Sequence, residues 1–153
     1  MTHIGLHNLG NAGDNVLFTE TRNIFDYFLG KFRWEKENLR LYFDSKKILS
    51  INNKSHGIIL GGGGLLLKDT APNNNSGWQW NCPISSLKQI DIPLIVFAIG
   101  YNRFYNQSEF NSIFKDHIQE TVHKASFIGL RNSGSILSLK EYLPVELHSK
   151  LIM

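Results

Sequence analysis

Four short segments of the chain combine glycine with side chains that bind anions or move protons. They are Asn11/Gly13/Asp14, Gly61–Gly64, Gly100/Asn102/Arg103 and Arg131/Asn132/Ser135. Glycine-rich turns and helix starts bind anions through backbone N–H groups that have no partner within the helix. Arginine adds a fork of donors that matches phosphate or carboxylate. Together the segments predict a site for a phosphorylated or carboxylated ligand.

Asp14 and the four glycines each have two interpretations. Asp14 can orient or deprotonate a hydroxyl group of the ligand, or it can serve only as the N-cap of the following helix. The glycines either let the backbone approach a ligand or form a tight turn between strand and helix without one. Neither standard nucleotide motif is present, because the chain has no GxxxxGK(S/T) and Leu66 stands where GxGxxG has its last glycine.

The predicted strands bring the four segments to one edge of a sheet. These strands are His3–His7, Leu39–Phe43, Gly57–Leu60, Leu94–Ile99 and Ser126–Leu130. Helical patterns run from Asp14 to Gly30, from Pro83 to about Gln89, from Ser108 through Val122 and from Ser135 to about Leu143. This alternation predicts an α/β, Rossmann-like fold with a mostly parallel sheet and helices on both faces. Open sheets of this kind bind ligands at the carboxyl ends of their strands.

The connecting segments carry further expectations. A turn is predicted at Asp44–Lys47, and the polar loop Asp69–Gly77 is a candidate active-site flap. Trp78 and Trp80 follow that loop and either stack on a sugar ring or anchor the loop, with anchoring favoured. The last residues, Val145–Met153, have no predicted role.

Composition excludes several classes of protein. Net charge is only +3, and Lys and Arg are scattered rather than clustered, so we expect no nucleic-acid partner. The single cysteine forms no disulfide framework, and the six histidines lack the spacing of a metal site. His117 and His123 are expected on one helix, both near solvent. No leader and no apolar run of about 20 residues is evident, so we expect a cytoplasmic protein.

The motifs in their order resemble the polysaccharide pyruvyl transferase family. The resemblance rests on Gly10–Asp14 after the first strand, Ile58–Leu66, Ala98–Gly100 and Gly129–Ser135, and it covers residues 3–143. It implies transfer of a pyruvyl group from phosphoenolpyruvate to a sugar hydroxyl, which forms a ketal on a surface polysaccharide or exopolysaccharide. Phosphoenolpyruvate is then the donor substrate, the acceptor is a saccharide or a lipid-linked saccharide, and no cofactor is implied.

The resemblance also implies an architecture and a set of site residues. Members resemble two-domain GT-B transferases, so residues 1–153 are expected to form one Rossmann-like domain, the N-terminal half, with a missing C-terminal domain or a second copy completing the site. A lipid-linked saccharide acceptor is consistent with activity at the inner face of the membrane. Asp14 is the candidate catalytic residue. Candidate substrate-binding residues are Asn11, Gly13, Gly62, Gly63, Gly64, Asn102, Arg131 and Ser135.

One departure and two rival functions accompany this hypothesis. The family has an acidic residue after the strand-end arginine, where this chain has Asn132. A GT-B glycosyltransferase that uses a nucleotide sugar would share the architecture. A noncatalytic glycan-binding remnant domain would keep the fold without turnover.

Overall fold

The computed structural model describes residues 1–7 and 10–153, which alternate between strands and helices as predicted. The strands are β1 (Thr2–Gly5), β2 (Glu35–Asn38), β3 (Ile58–Leu67), β4 (Leu94–Asn102), β5 (Phe127–Leu130) and β6 (Leu151–Ile152). The helices are α1 (Ala12–Leu29), α2 (Ser45–Lys54), α3 (Ile84–Leu87), α4 (Ser112–Lys124) and α5 (Ser133–Lys140), and a 3-10 helix spans Val145–Lys150.

All strand pairs of the described chain are parallel, in the order β2-β1-β3-β4-β5-β6. The first five strands follow the doubly wound 2-1-3-4-5 order, whose direction of winding reverses between β1 and β3. The predicted α/β, Rossmann-like fold with a parallel sheet is therefore confirmed. In folds of this order the ligand crevice lies outside the carboxyl ends of β1 and β3.

Helices cover both faces of the sheet. His3 stacks on Phe18 of α1 with ring centroids 3.9 Å apart. The next residue of β1, Ile4, is fully buried in the hydrophobic core together with Ile48 of α2 and Phe114 of α4. Since successive side chains of a strand point to opposite faces, α1 lies on one face and α2 and α4 lie on the other.

Several predicted boundaries are wrong. The segment Leu39–Phe43 is not a strand, since β2 lies just before it and a turn follows at Leu39. Leu39 and Phe43 are nevertheless fully buried, because the segment pairs with the backbone of Asn81 in a loop. The strand-like pattern therefore reflects side chains that are buried in a loop and not a position in the sheet.

The other differences from the predicted elements concern the starts of two helices and the C-terminal segment. The predicted turn Asp44–Lys47 opens α2, where the Asp44 carboxylate accepts from the Lys47 N–H at 2.8 Å. Helix α4 begins after Asn111 rather than at Ser108, because the Asn111 side chain caps the N–H of Phe114. The segment Val145–Met153, which had no predicted role, supplies the 3-10 helix and β6.

Candidate functional site

The four glycines lie inside β3 and not in a loop after it, so the predicted strand end at Leu60 is wrong. Strand β1 pairs with β3 only as far as Leu60, and β3 continues to Leu67 beside β4. The glycine run therefore extends past the end of β1, at the β1/β3 crevice that the strand order defines. The next helix begins only at Ile84, so the interpretation of the glycines as a tight turn between strand and helix is wrong.

The backbone of this run needs glycine for two different reasons. Gly63 has φ of 126°, a conformation that other residues rarely adopt. A Cβ on Gly61 would overlap the carbonyl oxygen of Phe97 and lie 2.8 Å from its carbonyl carbon. The β3–β4 register shifts between Gly63 and Leu66, which is an irregularity of the kind that often stands next to active sites.

Helix α1 brings Asp14 to this part of β3. The N-cap is Asn11, whose Oδ1 accepts from the Gly13 N–H at 3.0 Å, so the interpretation of Asp14 as N-cap is wrong. Asp14 lies in the first helical turn and is half-buried. Its Oδ1 would be 3.5 Å from a Cβ on Gly63. Within residues 1–7 and 10–153 its carboxylate makes no hydrogen bond or ion pair, so it is free to accept one from a ligand.

Close packing of α1 against the second glycine fixes this geometry. A Cβ on Gly62 would stand 3.0 Å from the Thr21 hydroxyl and 3.4 Å from the Leu17 carbonyl oxygen. That hydroxyl donates to the same carbonyl at 2.8 Å. A side chain at Gly62 would therefore crowd Thr21 and Leu17 of α1, and the φ of 82° there also favours glycine.

Asn102 and Arg131 form a second polar group beside the glycines. Arg131 Nη2 donates to Asn102 Oδ1 at 3.0 Å. A Cβ on Gly64 would overlap the Asn102 amide, and one on Gly100 would lie 2.7 Å from Arg131 Nη2. Both glycines therefore make room for polar side chains. The Arg131 side chain is exposed and lacks a carboxylate partner among the described residues, so it can hold an anion.

Ser135 and Asn132 act within the fold. Asn132 is the N-cap of α5, and its Oδ1 accepts from the Ser135 N–H at 2.8 Å and from the Ser135 hydroxyl at 2.9 Å. The same hydroxyl accepts from the Tyr101 N–H at 3.0 Å. Ser135 is buried, so it links α5 to β4 and thereby sets the position of Arg131 just before the helix.

Gln79 supports the glycines but has no motif that marks it in the sequence. Its Nε2 donates to the carbonyl oxygens of Gly64 at 3.1 Å and Leu65 at 3.3 Å, and its Oε1 accepts two hydrogen bonds from Arg40. The side chain is buried at 1% exposure. The only sequence signal is a polar residue between two tryptophans, in a stretch predicted to anchor a loop.

Trp78 and Trp80 anchor that loop and offer no face to a sugar, because both are fully buried. The Trp78 indole N–H donates to His117 Nδ1 at 3.0 Å, which leaves His117 Nε2 to donate to the Cys82 carbonyl at 2.9 Å. Burial lowers the pKa of His117 to about 4. The expectation that His117 is near solvent is therefore wrong, whereas His123 on the same helix is exposed.

The loop Asp69–Gly77 has no helix or strand, as predicted, and it is ordered by one asparagine. Asn73 Oδ1 accepts from the N–H groups of Asn75 and Ser76, at 3.0 Å and 2.9 Å. Its role as a flap stays a prediction.

The described residues give no sign of a metal site or a membrane span. No group of three or more His, Cys, Asp or Glu side chains in residues 1–7 and 10–153 could hold a metal ion. No helix in the same ranges is both long and apolar enough to cross a membrane.

Comparison with known proteins identifies the family. No curated protein and no solved structure matches the chain. The model of one family, described as polysaccharide pyruvyl transferase, matches residues 1–147, which is nearly the whole chain and more than the 3–143 of the sequence resemblance. The matched range includes every residue of the candidate site. The chain belongs to the polysaccharide pyruvyl transferase family.

Proposed function

We propose that this protein transfers the pyruvyl group of phosphoenolpyruvate to sugar hydroxyls in the synthesis of a surface polysaccharide or exopolysaccharide. Family membership supports a transferase with a saccharide acceptor. The observation that carries the proposal is the Asp14 carboxylate, which lies against Gly63 and has no hydrogen-bond or ion-pair partner among the described residues, at the β1/β3 crevice where doubly wound sheets bind ligands. The exposed Arg131 guanidinium, bonded to Asn102 beside Gly64, adds positive charge nearby.

The reaction requires a proton acceptor and a positive charge. One sugar hydroxyl adds to C2 of phosphoenolpyruvate and loses its proton, while the methylene carbon gains a proton and becomes a methyl group. The C2–O bond to phosphate then breaks, inorganic phosphate leaves, and a second hydroxyl adds and loses its proton. The product is a cyclic ketal that keeps the carboxylate.

Two groups of the site match these needs. Asp14 would accept the proton of the attacking hydroxyl, a role for which a carboxylate in hydrogen-bond reach suffices. Arg131 would hold the carboxylate or phosphate of the donor, since its guanidinium forms two parallel hydrogen bonds to such groups. Asn11, Gly13 and Gly62–Gly64 would shape the wall around the acceptor, while Ser135 would act only by positioning Arg131.

The donor decides between this proposal and a nucleotide-sugar glycosyltransferase. The protein is incubated with an acceptor saccharide and either phosphoenolpyruvate or a nucleotide sugar, and the saccharide product is analysed by mass spectrometry and NMR. The proposal predicts acceptor-dependent release of phosphate and a ketal methyl signal with phosphoenolpyruvate alone. Transfer only from the nucleotide sugar would contradict it. Saccharide binding with no turnover from either donor would identify a noncatalytic glycan-binding domain instead.

A further inference from the structure

Helix α1 also has a side that packs on β1 and on His7, just after that strand. On that side Phe18 stacks on His3 and on His7, with ring centroids 3.9 Å and 4.5 Å away. The Arg22 guanidinium carbon lies 4.5 Å from the centroid of the Phe18 ring. This cation–π contact holds the guanidinium close to the sheet.

A small cavity opens between these groups. Its volume is about 200 Å³, and it is lined by His7, Asn15, Phe18, Thr19, Arg22 and Lys36. We refer to it as the basic cavity. Water takes about 30 Å³ per molecule in the liquid, and pockets for drug-sized ligands begin at roughly 300 Å³. The basic cavity therefore fits one small polar group and not a nucleotide sugar.

Two polar atoms at the basic cavity lack hydrogen-bond partners in the part of the chain that the structure describes. They are Nη1 of Arg22 and Nε2 of His7, and both atoms are buried. Arg22 as a whole is only 9% exposed, and the one hydrogen bond that its guanidinium makes within the described residues, to the Thr19 hydroxyl, is long at 3.4 Å. A buried guanidinium without a full set of acceptors is costly, so the arrangement favours a ligand that supplies them.

No carboxylate forms an ion pair with Arg22 among the described residues. Asp26, one turn after Arg22, is the nearest candidate, but its Oδ1 accepts from the Phe32 N–H at 3.0 Å and the Trp34 indole N–H at 2.9 Å. Glu37, beside Lys36, instead pairs with Lys47 at 2.5 Å. Lys36 is exposed and makes no ion pair within the described ranges.

The charges at the basic cavity also act on one another. Burial and the positive charges of Arg22 and Lys36 lower the pKa of His7, whereas Glu37 raises it. Burial likewise lowers the pKa of Arg22, whereas the negative charge of Asp26 raises it. A dianion between these groups would reverse both effects, because it stabilises their protonated forms.

We propose that the basic cavity binds a phosphate group, held by Arg22, His7 and Lys36 with the Thr19 hydroxyl beside them. A tetrahedral dianion accepts hydrogen bonds from a guanidinium, an imidazole N–H and an ammonium at once. None of Asp14, Gly63, Asn102 and Arg131 lines the cavity, so binding of phosphate there does not rest on the proposed transferase activity. The phosphate is either free inorganic phosphate or the phosphate of a phosphorylated sugar.

The test follows the ring resonances of His7 by NMR while ligand is added at constant ionic strength. Inorganic phosphate, a hexose 1-phosphate and the uncharged hexose are titrated in parallel. Saturable shifts with phosphate alone indicate free phosphate, and tighter binding of the hexose 1-phosphate indicates a sugar phosphate. No saturable shift with either phosphorylated ligand, or an equal shift with the uncharged hexose, would overturn the proposal.

Variants connect the shift to the basic cavity. Lys36→Ala is expected to weaken phosphate binding about tenfold, since one charge-assisted hydrogen bond is lost, and Arg22→Gln to abolish it. Lys115→Ala, on the exposed surface of α4, is the matched control and should bind as the parent does. If Lys36→Ala and Lys115→Ala weakened phosphate binding equally, phosphate would be responding to the overall positive charge of the protein and not to the basic cavity. This result would overturn the proposal. Lys36 is exposed, so this comparison holds even if Arg22→Gln fails to fold.

Discussion

Gly61 and Gly63 offer a sharp test of the account of β3, because alanine meets a different obstacle at each. At Gly61 the added Cβ would overlap the Phe97 carbonyl oxygen and approach the Phe97 nitrogen to 3.1 Å, both backbone atoms of β4. At Gly63 its nearest neighbour is Asp14 Oδ1 at 3.5 Å, an ordinary contact. Only the backbone conformation opposes alanine there.

The expected costs differ accordingly. Overpacking costs about 1–3 kcal/mol and more when backbone must move, and a side chain at positive φ costs about 1–3 kcal/mol. We therefore expect Gly61→Ala to lower the free energy of unfolding by about 4 kcal/mol or more. Gly63→Ala should lower it by about 1–3 kcal/mol. Domains are stable by only about 5–15 kcal/mol, so the first change removes a large share.

Urea unfolding followed by tryptophan fluorescence measures these differences, since Trp78 and Trp80 are fully buried and change environment on unfolding. Gly134→Ala is the control, because Gly134 lies on the exposed side of helix α5 and alanine favours a helix by about 0.5–1 kcal/mol. Failure of Gly61→Ala alone to fold agrees with the reasoning. Equal stability of Gly61→Ala and Gly63→Ala would refute it.

Three further predictions concern residues around the site. His117 is buried with its pKa lowered to about 4, so it resists protonation and should by itself remove about 3 kcal/mol of stability from pH 7 to pH 4. In urea titrations His117→Gln should make the fall smaller by that amount and exposed His123→Gln should not, while buried His3, with its pKa lowered to about 3, maintains the rest of the slope in both. Gln79→Ala should cost about 3 kcal/mol of unfolding free energy, since buried carbonyls and a guanidinium lose their partner, whereas exposed Gln89→Ala should cost under about 1 kcal/mol. Asn102→Ala should change the unfolding free energy by less than about 1 kcal/mol yet raise the KM for the donor about tenfold, by releasing Arg131; an unchanged KM would contradict this.

The alternation of strands and helices could be read from the sequence because each apolar run carries a clear period. Leu94–Ile99 is a continuous apolar run, and the structure confirms a strand there, extended to Asn102, in which Leu94, Val96 and Ile99 are buried. Leu39–Phe43 shows the limit of that reasoning. Its buried residues have the spacing of a strand, but their partner is the loop around Asn81, a tertiary contact that no local pattern reveals.

The prediction that the strand ends before the four glycines is wrong for a similar reason. Glycine weakens strands in isolation, so a loop is the default interpretation of four in succession. Here strand β3 tolerates them because Gly61 faces the β4 backbone, Gly62 faces α1 and Gly64 leaves room for Asn102. These neighbours come from distant parts of the chain. The sequence indicates that the glycines are sites where other groups come close, but it does not reveal which groups these are.

The N-cap of helix α1 is another feature of the candidate site that the sequence could not assign. Asn11 and Asp14, three residues apart, are both good N-cap residues, and sequence alone cannot decide between two candidates so close together. The structure assigns the cap to Asn11, and this frees the Asp14 carboxylate to face Gly63. The role of Asp14 toward a ligand stays a prediction, which its position beside Gly63 permits.

The most direct test of Asp14 as proton acceptor compares Asp14→Asn with Asp116→Asn, an exposed carboxylate on α4, in the phosphoenolpyruvate assay. General-base catalysis is worth about 100- to 10,000-fold. We predict that Asp14→Asn lowers kcat by at least about 100-fold with little change in the acceptor KM, while Asp116→Asn keeps full activity. An Asp14→Asn protein that folds normally and keeps its kcat would contradict the central claim.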